Sequence, residues 1–196
     1  MNKNILLCGV GGQGTVLASR VIAQAAMEKG VFARTAETIG MAQRGGCVVS
    51  HVRIGDGIQS SLVPKGSADV LIGFEPGEAV RCLPFLKKGG VVITSPKAVQ
   101  PVMAALAGGR LDGDEMVAYL KKQAEKVVVV DVDAVCAQAG SPKTINVALL
   151  GAAAATGTLG VSLDDVRRVL ADRLPAKLLD MNLKALELGA AYANAV

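Results

Sequence analysis

The chain has 196 residues, of which 51% are hydrophobic, 19% charged and only 3% aromatic, and its formal net charge is +4. This length suits one well-filled domain, and a core of Val, Ala, Leu and Ile suits buried parallel strands covered by Ala-rich helices. The Lys and Arg residues are scattered, which argues against a nucleic-acid-binding protein. An organic anion or an acidic partner surface fits this charge better.

The N-terminal half alternates apolar runs with glycine-rich turns. A strand is predicted over residues 4–10, followed by "GVGGQG" and an amphipathic helix over residues 13–29 that Gly30 ends. "VFARTAET" is predicted as a second strand. "CVVSHVRI" and "IQSSLVP", which flank "GDG", are predicted as the two strands of a β-hairpin.

The central part continues the alternation of strands and helices. "DVLIGFEP" predicts a buried strand that enters a helix over residues 77–86, and "VVIT" and "VVVVD" predict two further strands. One or two helices are predicted within residues 100–126, the second of them capped by Asp112.

From Ala134 onward the chain is predicted to be helical. Ser162 begins a Ser-x-x-Asp capping pattern, and Pro175 occupies the first turn of the last helix. Strands alternating with helices, together with the hairpin, predict a single α/β domain over residues 1–196. We expect three layers, a Rossmann-like mixed sheet and a helical C-terminal third.

The cysteines indicate whether the chain can bind a metal cofactor, and the apolar segments indicate where in the cell it is located. Cys8, Cys47, Cys82 and Cys136 are far apart without any C-x-x-C pair, so we interpret them as buried small hydrophobic residues and expect no metal site. No signal-peptide pattern is visible, which favours the reducing cytosol. Residues 144–163 carry no charge, but their Ala, Gly, Thr and Asn content favours a buried helix over a membrane span.

Ligands of open α/β sheets bind beyond the carboxyl ends of the parallel strands. Glycines and polar residues occupy the predicted strand ends: Gly9 to Gly14, Glu37, Glu75, Thr94 with Ser95, and Asp131. This edge of the sheet is where we expect a ligand or a partner.

The glycines after the first strand match G-x-G-x-x-G at Gly9, Gly11 and Gly14, where main-chain amides can hold an anion. Glu37 follows 23 positions later, where a ribose-binding acid would lie, so a stand-alone NAD- or FAD-binding protein is one interpretation. The alternative is that the glycines only allow a sharp turn and close packing of helix on strand. Against a dinucleotide enzyme, no acid or base for hydride transfer is visible. The only histidine, His51, lies in the middle of a strand, where it faces a neighbour or an interface.

A second loop, "MAQRGG", places Gln43 and Arg44 before Gly45 and Gly46. Arg44 can pair with a carboxylate or a phosphate through two hydrogen bonds, although a helix-end cap or a structural ion pair explains it equally well. "GDG" begins like a thiamine diphosphate motif, but no asparagine follows at the required distance, so we interpret it as a turn.

The combination of motifs identifies a family resemblance. "GVGGQG", "GMAQRGGCVVSHVRIG", "ADVLIGFEPGEAVRCLPFL", "KKGGVVIT", "NVALLGA" and "NLKALELG" together resemble the gamma domain of the 2-oxoacid:ferredoxin oxidoreductases. "AQRGG" and "FEPGEAVR" are most similar to the small, beta subunit of indolepyruvate:ferredoxin oxidoreductase. The resemblance extends over about residues 4–189 and is weakest over residues 100–126.

The resemblance implies a complex that converts an aryl-pyruvate and coenzyme A into an aryl-acetyl-CoA, carbon dioxide and reduced ferredoxin, in amino acid catabolism. Thiamine diphosphate, Mg and iron–sulfur clusters are then expected on a large partner subunit. This chain is expected to bind none of them, to contain no catalytic residue and to be inactive alone. Without its partner it is expected to form a homo-oligomer over an exposed apolar surface.

We predict a ligand- or partner-binding surface made of the two glycine loops and one strand-end acid. Its residues are Gly9, Gly11, Gly12, Gln13, Gly14, Gln43, Arg44, Gly45, Gly46 and Glu75. The sequence leaves open whether the loops contact CoA or only the partner, which 2-oxoacid is used, and the stoichiometry. A pure assembly module and a stand-alone NAD or FAD protein remain the alternatives.

Overall fold

The computed structural model describes residues 2–39, 45–100 and 111–193. The strands are β1 (Lys3–Val10), β2 (Ala33–Ile39), β3 (Cys47–Ile54), β4 (Ala68–Gly73), β5 (Leu86–Thr94) and β6 (Lys126–Val129). The α-helices of these ranges are α1 (Thr15–Glu28), α2 (Pro76–Cys82), α3 (Gly113–Gln123), α4 (Val132–Ala139), α5 (Ile145–Ala155), α6 (Leu163–Arg173) and α7 (Ala176–Ala193).

The strands form one six-stranded mixed sheet in the order β2-β3-β1-β4-β5-β6. β1, β4, β5 and β6 are parallel neighbours, whereas β3 runs antiparallel to both β1 and β2. All six residues of β4 are buried, as the apolar run of residues 70–74 predicts for a strand covered on both faces, and Asp69 at its start is paired with Lys87. The predicted mixed sheet is therefore confirmed.

Helices cover both faces of the sheet, which confirms the three predicted layers. On one face Leu6, Leu71 and Val92 pack with residues of α2 and α3, such as Ala79 and Leu120. On the other face the alternate residues of the same strands form the larger core with α1 and the C-terminal helices. The residues that β1, β4 and β5 contribute to it are Ile5, Leu7, Val70, Ile72, Val91 and Ile93. The helical C-terminal third therefore builds this layer together with α1.

The predicted hairpin is wrong in its second strand. Residues 58–64 form no strand, and the antiparallel pair consists of β2 and β3 instead. Side chains of β3 bind the backbone of this segment: the Arg53 guanidinium donates to the Ser60 carbonyl at 2.9 Å, and the Val63 amide donates to His51 Nδ1 at 3.1 Å. Because side chains satisfy these backbone groups, the segment needs no strand partner.

His51 is thus a structural residue, packed edge-on against the Phe85 ring, and burial lowers its pKa.

The predicted helix over residues 77–86 is also too long. It ends at Cys82 and continues as a 3₁₀ turn, Leu83–Phe85, because Pro84 has no amide hydrogen with which to continue the helical hydrogen bonds.

The helix ends predicted at Gly30, Asp112 and Ser162 are confirmed, whereas Pro175 lies just before α7 and not in its first turn. Gly30 follows α1 with a φ of +73°. The Asp112 carboxylate accepts from the Asp114 amide at 2.8 Å, and Ser162 and Asp165 form a reciprocal capping box at the start of α6. Within the described ranges, no helix is both long and apolar enough to cross a membrane.

Asp165 also fastens α6 to α1, because its Oδ2 accepts from the Lys29 ammonium at 3.0 Å. Burial alone would raise its pKa, but hydrogen bonds from Ser162 and Lys29 outweigh burial and hold the pKa of Asp165 well below its usual range. A carboxyl with a lowered pKa stabilises the fold above the unfolded-state pKa of about 4, and this contribution is lost as the pH falls below it.

Asp165→Asn is accordingly expected to lower the free energy of unfolding by about 1 kcal/mol at pH 7. The difference from wild type should narrow as the pH falls below about 4, where the Asp165 carboxyl of the unfolded wild-type chain begins to protonate while that of the folded chain stays ionised. Urea denaturation at a series of pH values measures both effects. Asp164→Asn is the matched control, since the Asp164 side chain is 81% exposed, and a loss as large for Asp164→Asn would contradict this account.

Candidate functional site

The two glycine loops meet at the carboxyl end of β1. The Gly11 amide donates to the Gly46 carbonyl at 2.8 Å, which joins the turn after β1 to the residues just before β3. The sequence-based expectation that these loops lie together is therefore met at their described residues. Gln43 and Arg44 lie outside the described residues, so their assignment to this surface stays a prediction.

Gln13 binds the chain's own backbone. Its Oε1 accepts from the Val10 amide at 2.8 Å, and its Nε2 donates to the Phe74 carbonyl at 3.2 Å. A Cβ at Gly9 would come within 2.7 Å of both Gln13 Oε1 and the Phe74 Cβ. Gly9 is therefore needed for close packing, and the Gln13 amide holds β1 to the end of β4.

Gly12 and Gly14 both have positive φ, at +102° and +89°. Gly14 precedes α1 without contributing a side-chain cap, and a Cβ there would lie 2.7 Å from Nδ2 of the buried Asn146 in α5. Left-handed backbone and close approach together require glycine at this position. The turn thus packs α1 and α5 closely at the edge of the sheet.

The strand order weakens the dinucleotide interpretation. β3 lies between β1 and β2, which places Glu37 of β2 two strand spacings, about 10 Å, from β1. Glu37 also forms an ion pair with Arg20 at 3.6 Å. A ribose-binding acid belongs on the strand next to the glycine turn, and here an antiparallel strand occupies that place.

Glu75 is the buried cap of α2. Its Oε2 accepts from the Glu78 amide at 2.8 Å and its Oε1 from the Val99 amide at 3.3 Å. Asp131 caps α4 in the same way, through the Ala134 amide at 3.0 Å. Two of the predicted strand-end acids therefore bind backbone amides, and Glu75 shapes the site with both oxygens engaged.

A cavity of about 540 Å³ opens beside the joined loops, between the ends of β1 and β3, α2 and the start of α3. Apolar side chains form much of its wall, and the charged members among its described residues are Glu75, Glu78 and Arg81. The cavity is lined by Val10, Gly45, Cys47, Glu75, Gly77, Glu78, Val80, Arg81, Val99, Gln100, Leu111 and Met116. Two predicted site residues, Gly45 and Glu75, thus border it.

Glu78 and Cys47 are the residues that sequence reasoning missed. Glu78 is only 5% exposed, and its Oε1 pairs with Arg81 Nη2 at 2.5 Å. Cys47 is solvent-exposed, contrary to the prediction that all four cysteines are buried. Partial burial of the thiol and the neighbouring Glu78 carboxylate raise the pKa of Cys47 to about 12, so this thiol stays protonated and weakly nucleophilic near neutral pH.

The only sequence signal for Glu78 is its place three residues after Glu75 and three before Arg81, a spacing also typical of exposed helix pairs. In the part of the chain that the structure describes, no three His, Cys, Asp or Glu side chains are grouped so as to hold a metal ion.

Comparison with known proteins gives consistent matches over nearly the whole chain. Residues 4–192 match the family model described as pyruvate ferredoxin/flavodoxin oxidoreductase. The chain is 40% identical to the indolepyruvate oxidoreductase subunit IorB of Archaeoglobus fulgidus, covering 96% of this chain and 94% of that protein. It is 36% identical to the corresponding subunit of Pyrococcus horikoshii, with 95% and 93% covered.

A solved structure shares the fold. The gamma subunit of a keto/oxoacid ferredoxin oxidoreductase from Geobacter sulfurreducens matches with a TM-score of 0.73 and 24% identity, covering 100% of this chain and 98% of that one. The described sheet and helices thus have the architecture of that subunit.

Proposed function

The chain belongs to the pyruvate ferredoxin/flavodoxin oxidoreductase family, and on that premise we propose that it is the non-redox small subunit of an indolepyruvate-type 2-oxoacid:ferredoxin oxidoreductase. The observation that carries the proposal is the 40% identity to an archaeal indolepyruvate oxidoreductase subunit over 96% of the chain. The family-level fold agrees with it.

In the proposed complex an aryl-pyruvate and coenzyme A are converted into aryl-acetyl-CoA and carbon dioxide, and ferredoxin is reduced. Thiamine diphosphate, Mg and iron–sulfur clusters belong to the large partner subunit and supply the decarboxylation and electron-transfer chemistry. This chain contributes a shaped surface: the joined glycine loops, the rigid turn at Gln13 and the adjoining cavity. Such a surface can exclude water from the partner's reaction site and help to position CoA.

We assign the anion-binding role on this surface to Arg44, whose guanidinium pairs with a CoA phosphate or with a carboxylate of the partner. The contact between Gly11 and Gly46 supports the assignment, because it brings the second loop to the amide-rich turn of the first. The pure assembly module differs from this proposal only in that its loops contact protein and never CoA.

Reconstitution tests the function. The large subunit is purified with and without this chain, and dye reduction dependent on indolepyruvate and CoA is measured. We expect at least a tenfold lower rate without the chain, and an equal rate would contradict any catalytic contribution. NAD or FAD retained by the purified chain would support the stand-alone alternative instead.

Arg44→Ala in the co-expressed complex distinguishes binding of a CoA phosphate from binding of a partner carboxylate. If Arg44 binds a CoA phosphate, the apparent KM for CoA is expected to rise about tenfold with assembly unchanged. If Arg44 binds a partner carboxylate, assembly should weaken. Arg173→Ala, at an exposed arginine on α6, is the matched control, and wild-type assembly together with wild-type KM for Arg44→Ala would contradict the assignment.

A further inference from the structure

Two arginines lie directly opposite each other on neighbouring strands without a carboxylate partner. Arg34 of the edge strand β2 is in register with Arg53 of β3, so both side chains leave the same face of the sheet. Like charges directly opposite each other destabilise a sheet. All 17 Asp and Glu residues of the chain lie in the described ranges, and none of them forms an ion pair with either arginine.

Both guanidiniums are held in place by groups that leave their charge uncompensated. Arg34 Nε donates to the Ile58 carbonyl at 3.1 Å, and its guanidinium carbon lies 5.2 Å from the centre of the Phe32 ring. Arg53 Nε donates to Asn4 Oδ1 at 2.9 Å, and its Nη1 donates to backbone carbonyls. Both Nη atoms of Arg34 and Nη2 of Arg53 have no acceptor among the described residues, so each guanidinium can still bind an oxyanion.

Exposed apolar side chains flank the two arginines. Phe32, 47% exposed, lies against the Arg34 guanidinium, and Leu62, 53% exposed, carries a carbonyl that accepts from Arg53 Nη1 at 3.4 Å. Aromatic residues and arginines are enriched where protein interfaces carry most of their binding energy. We name Phe32, Arg34, Arg53 and Leu62 the di-arginine patch.

The di-arginine patch is separate from the joined glycine loops. β3 begins at Cys47, next to Gly46 of the second loop, and Arg53 follows six residues later, about 20 Å along the strand. A partner that covers this patch therefore makes a contact distinct from that of the joined loops.

We propose that the di-arginine patch binds an acidic segment of the large subunit, in which two carboxylates lie between apolar side chains. Each carboxylate accepts from one guanidinium and removes the repulsion between the arginines, while the apolar side chains cover Phe32 and Leu62. A basic segment is disfavoured by charge, and a purely apolar one would bury two guanidiniums without a counter-charge. The choice of the large subunit rests on the proposed function, since it requires that partner.

The chemistry is tested on the full chain without its partner. The probe is the peptide acetyl-Leu-Ser-Glu-Ser-Glu-Ser-Leu-amide, whose alternate residues place two carboxylates between two leucines on one face of an extended chain. Binding is followed by NMR shifts, and the same peptide with glutamine in place of both glutamates is the control. We expect saturable binding of the acidic peptide and about tenfold weaker binding of the control. Equal binding of the two peptides, or no saturable binding of the acidic one, would overturn the proposal.

Substitutions of single arginines locate the site. Arg34→Gln is expected to weaken binding of the acidic peptide about tenfold and to leave binding of the control peptide unchanged. Arg173→Gln, at an exposed arginine on α6, removes the same charge elsewhere and should change neither. Arg53→Gln should act like Arg34→Gln, but Arg53 also holds residues 58–64, so Arg34→Gln decides if Arg53→Gln does not fold. Wild-type affinity of Arg34→Gln for the acidic peptide would contradict the proposed site.

The assembled complex tests the choice of partner. If a segment of the large subunit occupies the di-arginine patch, the acidic peptide no longer binds in the complex, and Arg34→Gln weakens assembly. If the peptide binds the complex as it binds the chain and Arg34→Gln assembles like the wild type, the large subunit does not cover the patch and the proposal is wrong. Failure of the wild-type chain to assemble at all would refute the proposed function but leave the peptide result on the isolated chain standing.

Discussion

Gly189→Ala is expected to lower the free energy of unfolding by about 3 kcal/mol, the largest effect of any substitution considered. A Cβ at Gly189 in α7 would lie 1.9 Å from the Ala148 carbonyl oxygen of α5, and that neighbour is backbone. Since both helices are packed in the main core, neither can shift without opening it. The better helix propensity of Ala, worth about 1 kcal/mol, offsets part of the cost.

Thermal and urea unfolding measure this effect, and for a chain of this size about 3 kcal/mol corresponds to a fall in Tm of about 6–12 °C. Gly151→Ala should behave alike, because its Cβ would lie 2.1 Å from the Leu186 carbonyl oxygen of the opposite helix. Ala191→Val, at an exposed position of α7, is the control. A Gly189→Ala protein no less stable than Ala191→Val would show that the helices are not in backbone contact.

Gln13→Leu is expected to cost about 2 kcal/mol of stability and to impair assembly with the large subunit. Leucine keeps the size but leaves the Val10 amide and the Phe74 carbonyl without their partners. The turn between β1 and α1 then loses the contacts that hold it beside Gly46 and the cavity. Because the proposed surface consists of this turn and the second loop, its shape should be lost with them.

Urea denaturation and co-purification with the large subunit test the two parts of this expectation. Gln123→Leu, on the exposed face of α3, removes an amide of the same size and should change neither. Wild-type stability in Gln13→Leu would show that the amide is dispensable for the turn. If Gln13→Leu loses the expected 2 kcal/mol of stability but assembles like the wild type, the turn does not belong to the proposed partner surface.

The sequence by itself determined the features that depend on local chemistry. The apolar run of residues 70–74 in and after β4 indicated burial on both faces, and Asp112, Ser162 and Gly30 marked helix ends because each acts on backbone groups within a few residues. The parallel strands, the helical C-terminal third and the family resemblance followed from patterns of the same kind. Such features can be predicted because they need no knowledge of distant neighbours.

Only the tertiary structure decided how these elements meet. Because β3 lies between β1 and β2, Glu37 is separated from the glycine turn. The sequence matches a dinucleotide-binding pattern, but its residues do not have the arrangement of a dinucleotide site. The second strand of the predicted hairpin was wrong because Arg53 and His51, on another segment, bind its backbone. Both outcomes depend on the order of the strands, and this order is determined by the packing of the whole sheet.

The candidate site also combines residues that the sequence indicates with residues that only the tertiary structure brings to it. The glycine turns were visible in sequence because positive φ and close approach demand a particular residue type. Glu78 was not visible, since an acid three residues before an arginine is usually exposed, and only the packing of α2 against the sheet and the start of α3 buries it. Burial depends on elements distant in sequence, and for this reason an acid whose sequence pattern indicates exposure is a buried carboxylate that lines a cavity.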